Sequence, residues 1–130
     1  MTRYRGFTVI ELLVAIAFLA AASLVALSQL QAINTKTLND KKRTAINAMY
    51  FSLEEDFYKR HGHYPEQLRE GVLPTMDQAL LKDPAGHPIG ETASAYRYEA
   101  TDCRDGRCRS YTLRATLAGE DDFVKTNRQR

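Results

Sequence analysis

Few residues of this chain have the types and spacings that catalysis, metal binding or disulfide formation requires. Two cysteines, Cys103 and Cys108, stand close together in CRDGRC, and one acid, Glu11, stands inside an apolar run. The sequence contains no H-E-x-x-H, no G-x-S-x-G and no phosphate-binding loop, which are patterns that assemble catalytic groups. It therefore predicts neither an enzyme nor a cofactor, and it leaves Glu11 as the residue to be explained.

The apolar run around Glu11 is long enough to cross a membrane. Residues 12–28 carry no charge, and with residues 7–11 the segment reaches about 22 residues, enough to span hydrocarbon as a helix. Because Arg3 and Arg5 precede it, the positive-inside tendency keeps the amino terminus in the cytoplasm and exports the rest. A cleaved secretory signal is the alternative, but such a signal needs no acid and is not followed by a continuing helix. A single-pass membrane segment is the prediction.

Length and charge limit what the rest of the chain does. With 130 residues, 44% of them hydrophobic, there is room for one small domain beside the apolar segment. The formal net charge is +2, and Arg3 and Arg5 supply both units, so a chain cut after Gly6 carries none. Composition alone therefore does not predict a nucleic-acid binder. That alternative rests on local basic groups, namely residues 41–43, Arg104, Arg107 and Arg109.

One helix is predicted from Phe7 to His61, because neither Gly nor Pro interrupts that stretch. Apolar residues recur in its second half with helical spacing, which predicts a face that packs on a head. These residues are Ile46, Met49 or Tyr50, Leu53 and Phe57. Residues 34–43 are polar nearly all round, which predicts an exposed middle. Gly62 and Pro65 predict the end of the helix.

A β-hairpin is predicted for the head. Residues 95–101 and 109–118 are β-branched and aromatic runs with near alternation, and the Asp-Gly between them is a strong hairpin signal. Cys103 and Cys108 flank that turn on the exported side of the membrane, so we predict a disulfide between them. Before the hairpin, turn residues leave room for one short helix at residues 76–82.

Metal binding is the alternative use of the cysteines. Together with His61 and His63 they offer four possible ligands, but C-x₄-C lacks the usual zinc spacing. Acidic groups offer a second alternative, calcium, although a solvated acidic edge is the favoured interpretation. These groups are Asp102, Asp105 and residues 120–122. We predict no metal.

The stretch RGFTVIELL resembles the amino terminus of the type IV pilin and type II secretion pseudopilin family. Gly6, Phe7 and Glu11, placed after a short basic leader and before a wholly apolar run, match the family's pattern residue by residue. The resemblance implies cleavage after Gly6 by a prepilin peptidase and N-methylation of Phe7. It also implies that Glu11 pairs with the amine of Phe7 on a neighbouring subunit and fixes the axial register of a filament.

Physical chemistry gives the same reason for the acid. A carboxylate at the centre of a membrane helix costs about 2.5 to 3.5 kcal/mol on insertion scales, so it is expected to have a function and a partner. The simpler interpretation is that Glu11 lies near the headgroups and favours the positive end of the helix dipole. One departure from the family is that residues 20–29 hold no Pro or Gly, where many type IV pilins have a helix breaker. This predicts a helix that stays continuous in the filament, or a minor or pseudopilin-like subunit.

Together these features predict an α+β fold, the ladle of a pilin, in which a long amino-terminal helix packs on a small antiparallel sheet. The predicted divisions are a leader at 1–6, a membrane and assembly half of the helix at 7–30, an amphipathic half at 31–61, and a head at 62–130 with a hairpin at 95–118.

The resemblance implies a structural subunit of a type IV pilus-type filament that serves adhesion, twitching motility or DNA uptake. Such a subunit is first a single-pass membrane protein and then part of an extracellular surface filament. Its partners are further copies or other pilins, the prepilin peptidase and the assembly machinery in the membrane. The alternatives are a pseudopilin of a type II secretion system, a DNA-binding minor pilin, and a plain membrane protein that is never cut.

Overall fold

The computed structural model of the chain describes residues 6–129. Arg3 and Arg5, on which the topology prediction rests, lie outside the described residues, as does most of the predicted leader. Two compact units divide the chain, the first ending at Lys36 and the second beginning at Thr37.

The first half of the chain is helical, as predicted. Helix α1 covers Val9–Phe51, a π-helical turn follows at Ser52–Phe57, and helix α2 covers Tyr58–His61. Gly62 ends the helix with a left-handed backbone, φ 69°, and its N–H donates to the carbonyl of Tyr58 over 2.7 Å. Glycine reaches this conformation without steric cost, which confirms the predicted end. The π-helical turn was not predicted.

Four antiparallel strands form the sheet of the head. They are β1 at Tyr64–Pro65, β2 at Tyr96–Arg104, β3 at Arg107–Ala115 and β4 at Phe123–Thr126. Strand β3 is central, because β2 pairs along one of its edges and β1 and β4 share the other. The fold is therefore α+β, with a long amino-terminal helix and a small antiparallel sheet, as the sequence predicts.

The hairpin of β2 and β3 has the predicted turn. Asp105 and Gly106 have φ of 51° and 75°, the pair of left-handed residues that the tight hairpin turn requires. Cys103 lies directly opposite Cys108 in the register, and the two form a disulfide. The predicted disulfide is confirmed, and it removes both sulfur atoms from the four-ligand metal alternative.

The core lies between the sheet and the part of the helix that belongs to the second unit. Ile46, Met49 and Leu53, three residues of the predicted stripe, are completely buried, and Phe57 packs partly buried against them. From the sheet, Tyr96, Tyr111, Leu113 and Ala115 fill the other side of the core. The helical periodicity in the sequence thus identified the face that packs.

Two local predictions need correction. The short helix predicted at residues 76–82 is a single 3₁₀ turn at Gln78–Leu81, which Asp77 caps by accepting the N–H of Ala79 over 2.9 Å. The predicted exposed middle at residues 34–43 is wrong at Asn39, which is 1% exposed. A polar residue looks exposed in sequence, but Asn39 is buried because it has hydrogen-bond partners on a distant loop.

Candidate functional site

The apolar half of the helix is exposed along its described length. Every residue from Gly6 to Asn34 is exposed. Phe7 is 82% exposed and Phe18 77%, values typical of side chains with no neighbours to pack against. By length and composition this helix is able to cross a membrane. A helix that is apolar on all sides requires either lipid or other helices around it.

Thr8 begins this helix. Its side-chain oxygen accepts the N–H of Glu11 over 3.3 Å, and its carbonyl accepts the N–H of Leu12 over 3.1 Å. Thr8 is therefore the N-cap and Glu11 stands three residues later, the spacing of a capping box. This role of Thr8 was not predicted, although the pattern Thr-x-x-Glu before an apolar run indicates it.

The structure brings the predicted amino-terminal site residues together. Gly6, Phe7, Thr8 and Glu11 line one open depression of about 470 Å³. Among residues 6–129 the carboxylate of Glu11 has no hydrogen-bond or ion-pair partner, and the residue is exposed in the first turn of the helix. A negative charge at this end of a helix is favourable, so the simpler dipole role fits the geometry as well.

Gly6 is not required by packing. A Cβ atom placed on it would meet nothing within 4 Å. Its φ also lies outside the left-handed range that favours glycine. The fold as described therefore gives no reason for glycine at this position.

A second carboxylate, Glu54, lies in the core of the head. It is completely buried within the π-helical turn, and its Oε1 accepts the hydroxyls of Tyr64 at 3.0 Å and Tyr111 at 2.9 Å and the backbone N–H of Arg128 at 3.3 Å. Burial, and then the negative charge of Glu54, raise the pKa of Tyr111. Tyr111 therefore stays protonated, and both tyrosine hydroxyls donate to Glu54. Glu54 thus connects the helix to β1, β3 and the carboxyl-terminal segment.

Two further buried polar groups hold loops of the head. Asn39 donates to the carbonyl of Ala118 at 3.0 Å and accepts the N–H of Ala118 at 3.0 Å, which ties the helix to the loop after β3. Asp83 accepts the N–H groups of Ala85 at 3.0 Å, His87 at 2.9 Å and Ala95 at 2.8 Å. Burial opposes ionisation of Asp83, but these donors outweigh it and lower the pKa of its carboxyl.

The hairpin end carries mixed charges. Arg104 and Arg107 are exposed there, and Arg109 lies 3.8 Å from Asp102. Elsewhere Glu120 pairs with Arg43, and Asp122 lies 4.0 Å from Arg114. Within residues 6–129 no group of three or more His, Cys, Asp and Glu side chains is arranged to hold a metal ion. The acidic groups considered for calcium are therefore not gathered into a site.

The residues singled out in the sequence thus fall in two places. Gly6, Phe7 and Glu11 lie together at the start of the helix, and Cys103 and Cys108 join the two hairpin strands. Comparison of the chain with protein-family models, curated proteins and solved structures finds no match. Two features remain as the basis for a functional proposal, namely the exposed apolar helix and Glu11 in its first turn.

Proposed function

We propose that this chain is a structural subunit of a filament of the type IV pilus kind, stored in the membrane and polymerised through its amino-terminal helix. The observation that carries the proposal is the exposure of every residue from Gly6 to Asn34 on an apolar helix. Adhesion, twitching motility and DNA uptake are functions that such a polymer serves.

The head and the apolar helix differ in what they need. The head buries most of its own large apolar side chains, whereas the first unit exposes thirteen large ones from Phe7 to Leu30 and one more at Ile33. Burying such side chains gains about 1.5 to 3 kcal/mol each, so the segment has a strong drive to leave water. Lipid satisfies this drive in a membrane and neighbouring helices satisfy it in a filament, so the same segment serves storage and assembly.

Glu11 makes assembly specific. Lipid and apolar helices offer no partner for a carboxylate, and an unpaired buried charge is strongly destabilising. Cleavage before Phe7 would create a positively charged amine, and a neighbouring copy would then present that amine to Glu11. Such a pair is satisfied at only one axial offset between copies, which is how it would fix their register.

Gly6 supports a processing step. Packing does not require glycine there. The resemblance supplies a reason for it, which is recognition by a prepilin peptidase. Cleavage at this bond leaves Thr8 and its capping contact in the mature chain. The helix therefore keeps its N-cap after processing.

A DNA-binding minor subunit is the second candidate function. The observation that favours it is the cluster of exposed arginines at the end of the hairpin, where Arg104, Arg107 and Arg109 line one depression. Phosphate binding by such groups weakens steeply as salt rises. Asp102 and Asp105 line the same depression, and their negative charges oppose phosphate binding there.

Intact-mass measurement and amino-terminal sequencing of the protein from sheared surface filaments and from membranes test the proposal. We expect the sheared fraction to contain chains that begin at methylated Phe7. A Gly6→Val variant, which has room for its side chain, should remain uncut in the membrane. An uncut Met1 or a terminus near Ser23 in every fraction would contradict the proposal and indicate a plain membrane protein or a secreted one.

A further inference from the structure

Three aromatic rings meet where the helix ends. The ring centroids of His61 and His63 are 5.8 Å apart, and Phe57 lies 4.4 Å from His61 and 5.8 Å from His63. Gly62, with its left-handed backbone, separates the two histidines. We propose that His61 and His63 form a two-imidazole site for a borderline divalent transition-metal ion, represented by Zn²⁺ or Ni²⁺.

The spacing of the rings suits one shared ion. Metal–nitrogen bonds of about 2.1 Å place the centres of two imidazoles that share an ion about 5 to 6 Å apart. The 5.8 Å between His61 and His63 falls in that range. Imidazole nitrogen is a preferred ligand of Zn²⁺, Ni²⁺ and Cu²⁺, whereas Ca²⁺ and Mg²⁺ prefer oxygen. The site therefore selects for the first group of ions.

His63 has its metal-binding tautomer set by the backbone. Its Nδ1 lies 3.2 Å from the carbonyl oxygen of Tyr64. A carbonyl only accepts, so Nδ1 carries the proton and Nε2 keeps its lone pair for a ligand. Metal-binding histidines in proteins have this kind of support, in which the second ring nitrogen donates to a carbonyl or carboxylate.

The surroundings of the pair tolerate a cation. The last turn of a helix carries the negative end of its dipole, which favours positive charge. The nearest cations on that turn, Lys59 and Arg60, are already paired with Glu55 and Asp56. On its other side His63 lines a depression that contains both signs of charge. These lining residues are Asp102, Asp105, Arg104, Arg107 and Arg109.

The coordination is completed by water. Cys103 and Cys108 are joined in a disulfide and do not ligate. Among the residues that the structure describes no third acidic, histidine or cysteine ligand is gathered with the pair. Two protein ligands give a site of modest affinity that exchanges its ion readily. The proposal is independent of whether the chain forms a filament.

Titration of the full chain in detergent micelles with Zn²⁺ alone tests the proposal by calorimetry and by long-range ¹H–¹⁵N spectra of the imidazoles. We expect one Zn²⁺ per chain and shifts of the His61 and His63 ring nitrogens. His61→Gln and His63→Gln should each weaken binding about ten-fold or more. His87→Gln is the matched control, because His87 is the third histidine of the chain and lies beside Asp83, away from the pair.

Three results would overturn the site. They are absence of Zn²⁺ binding by the parent chain, an affinity unchanged by both pair variants, and a loss in His87→Gln as large as theirs. Near-ultraviolet circular dichroism of each variant, unchanged from the parent, shows that the head is still folded. Affinity lost with an intact head then reports on the ligands themselves.

Discussion

Glu11 and Glu54 are two carboxylates of the same helical stretch in opposite surroundings. Glu54 is completely buried and receives three donors from its own chain, whereas Glu11 is exposed and its carboxylate has no partner among residues 6–129. The same contrast holds for apolar side chains, which the head buries and the first unit exposes. The head has a buried core of its own, while the described residues of the first unit leave their apolar side chains exposed.

Glu54 gives the largest expected effect within the head. Glu54→Leu leaves two tyrosine hydroxyls and the N–H of Arg128 without their acceptor, so we expect the free energy of unfolding to fall by about 3 kcal/mol or more. Chemical denaturation of the full chain in detergent, followed by the near-ultraviolet signal of its tyrosines, measures this. Glu99→Leu, on an exposed strand position, is the control. If Glu54→Leu and Glu99→Leu each lost the same small amount of stability, burial and the three donors would not make Glu54 special.

The disulfide gives a smaller effect that is confined to the head. Replacing Cys103 and Cys108 by serine frees a short loop, so we expect a loss of about 2 kcal/mol on the chain-entropy account. The helical signal of the apolar segment should not change, because the disulfide lies in the other unit. Hydrogen exchange resolved along the chain would separate the two responses. Faster exchange in residues 9–33 would contradict the expectation that the effect is confined to the head.

Asn39 tests how the helix is held to the loop after β3. Asn39→Ala removes both hydrogen bonds with Ala118, and we expect a loss of about 1 to 2 kcal/mol. The same denaturation experiment measures it. Thr44→Ala, an exposed position of the same helix, should cost much less. A Thr44→Ala loss equal to that of Asn39→Ala would show that the loop contact contributes nothing.

Asp83 links the head to pH. Its lowered pKa means that the folded chain favours the ionised form, so its contribution is fully present above about pH 4, the range of an unfolded aspartate, and is lost as pH falls through the lower folded pKa. Asp83→Asn should cost about 1 to 2 kcal/mol near pH 7. Unfolding curves from pH 7 down to pH 3 should show the difference from the parent shrinking at the acid end. If the stability difference between Asp83→Asn and the parent grew on acidification, the predicted role of the ionised Asp83 would be wrong.

The regular elements of this chain were predictable, and its buried polar contacts were not. The helix to His61 follows from the absence of Gly and Pro, and the hairpin follows from Asp-Gly between alternating strands, because these signals are local. Asn39 and Ala118 are 79 residues apart in sequence, so nothing near Asn39 indicates its partner. Nothing near Glu54 in the sequence indicates that it is buried. The π-helical turn, which was not predicted, buries Ser52, Leu53 and Glu54 in succession.

At the amino terminus, what the sequence can predict is limited for a different reason. The sequence predicted Gly6, Phe7 and Glu11 as site residues, and the structure gathers them in one depression. Their proposed roles depend on a peptidase, a methyl group and a neighbouring copy, none of which a single chain contains. Within the described residues, packing does not require glycine at position 6, so the fold itself gives no reason for that residue.

The distribution of a Glu11→Gln variant between membranes and sheared surface filaments, measured by intact mass, tests the proposed pairing of Glu11 with a neighbouring copy. We expect the variant to be cut after Gly6, to keep the stability of the parent head, and to stay in the membrane, because it lacks the charge that pairs with a neighbouring amine. Glu99→Gln, an exposed acid of the head, should reach the filament fraction like the parent. Parent levels of Glu11→Gln in sheared filaments would contradict the claim that Glu11 finds its partner on another copy.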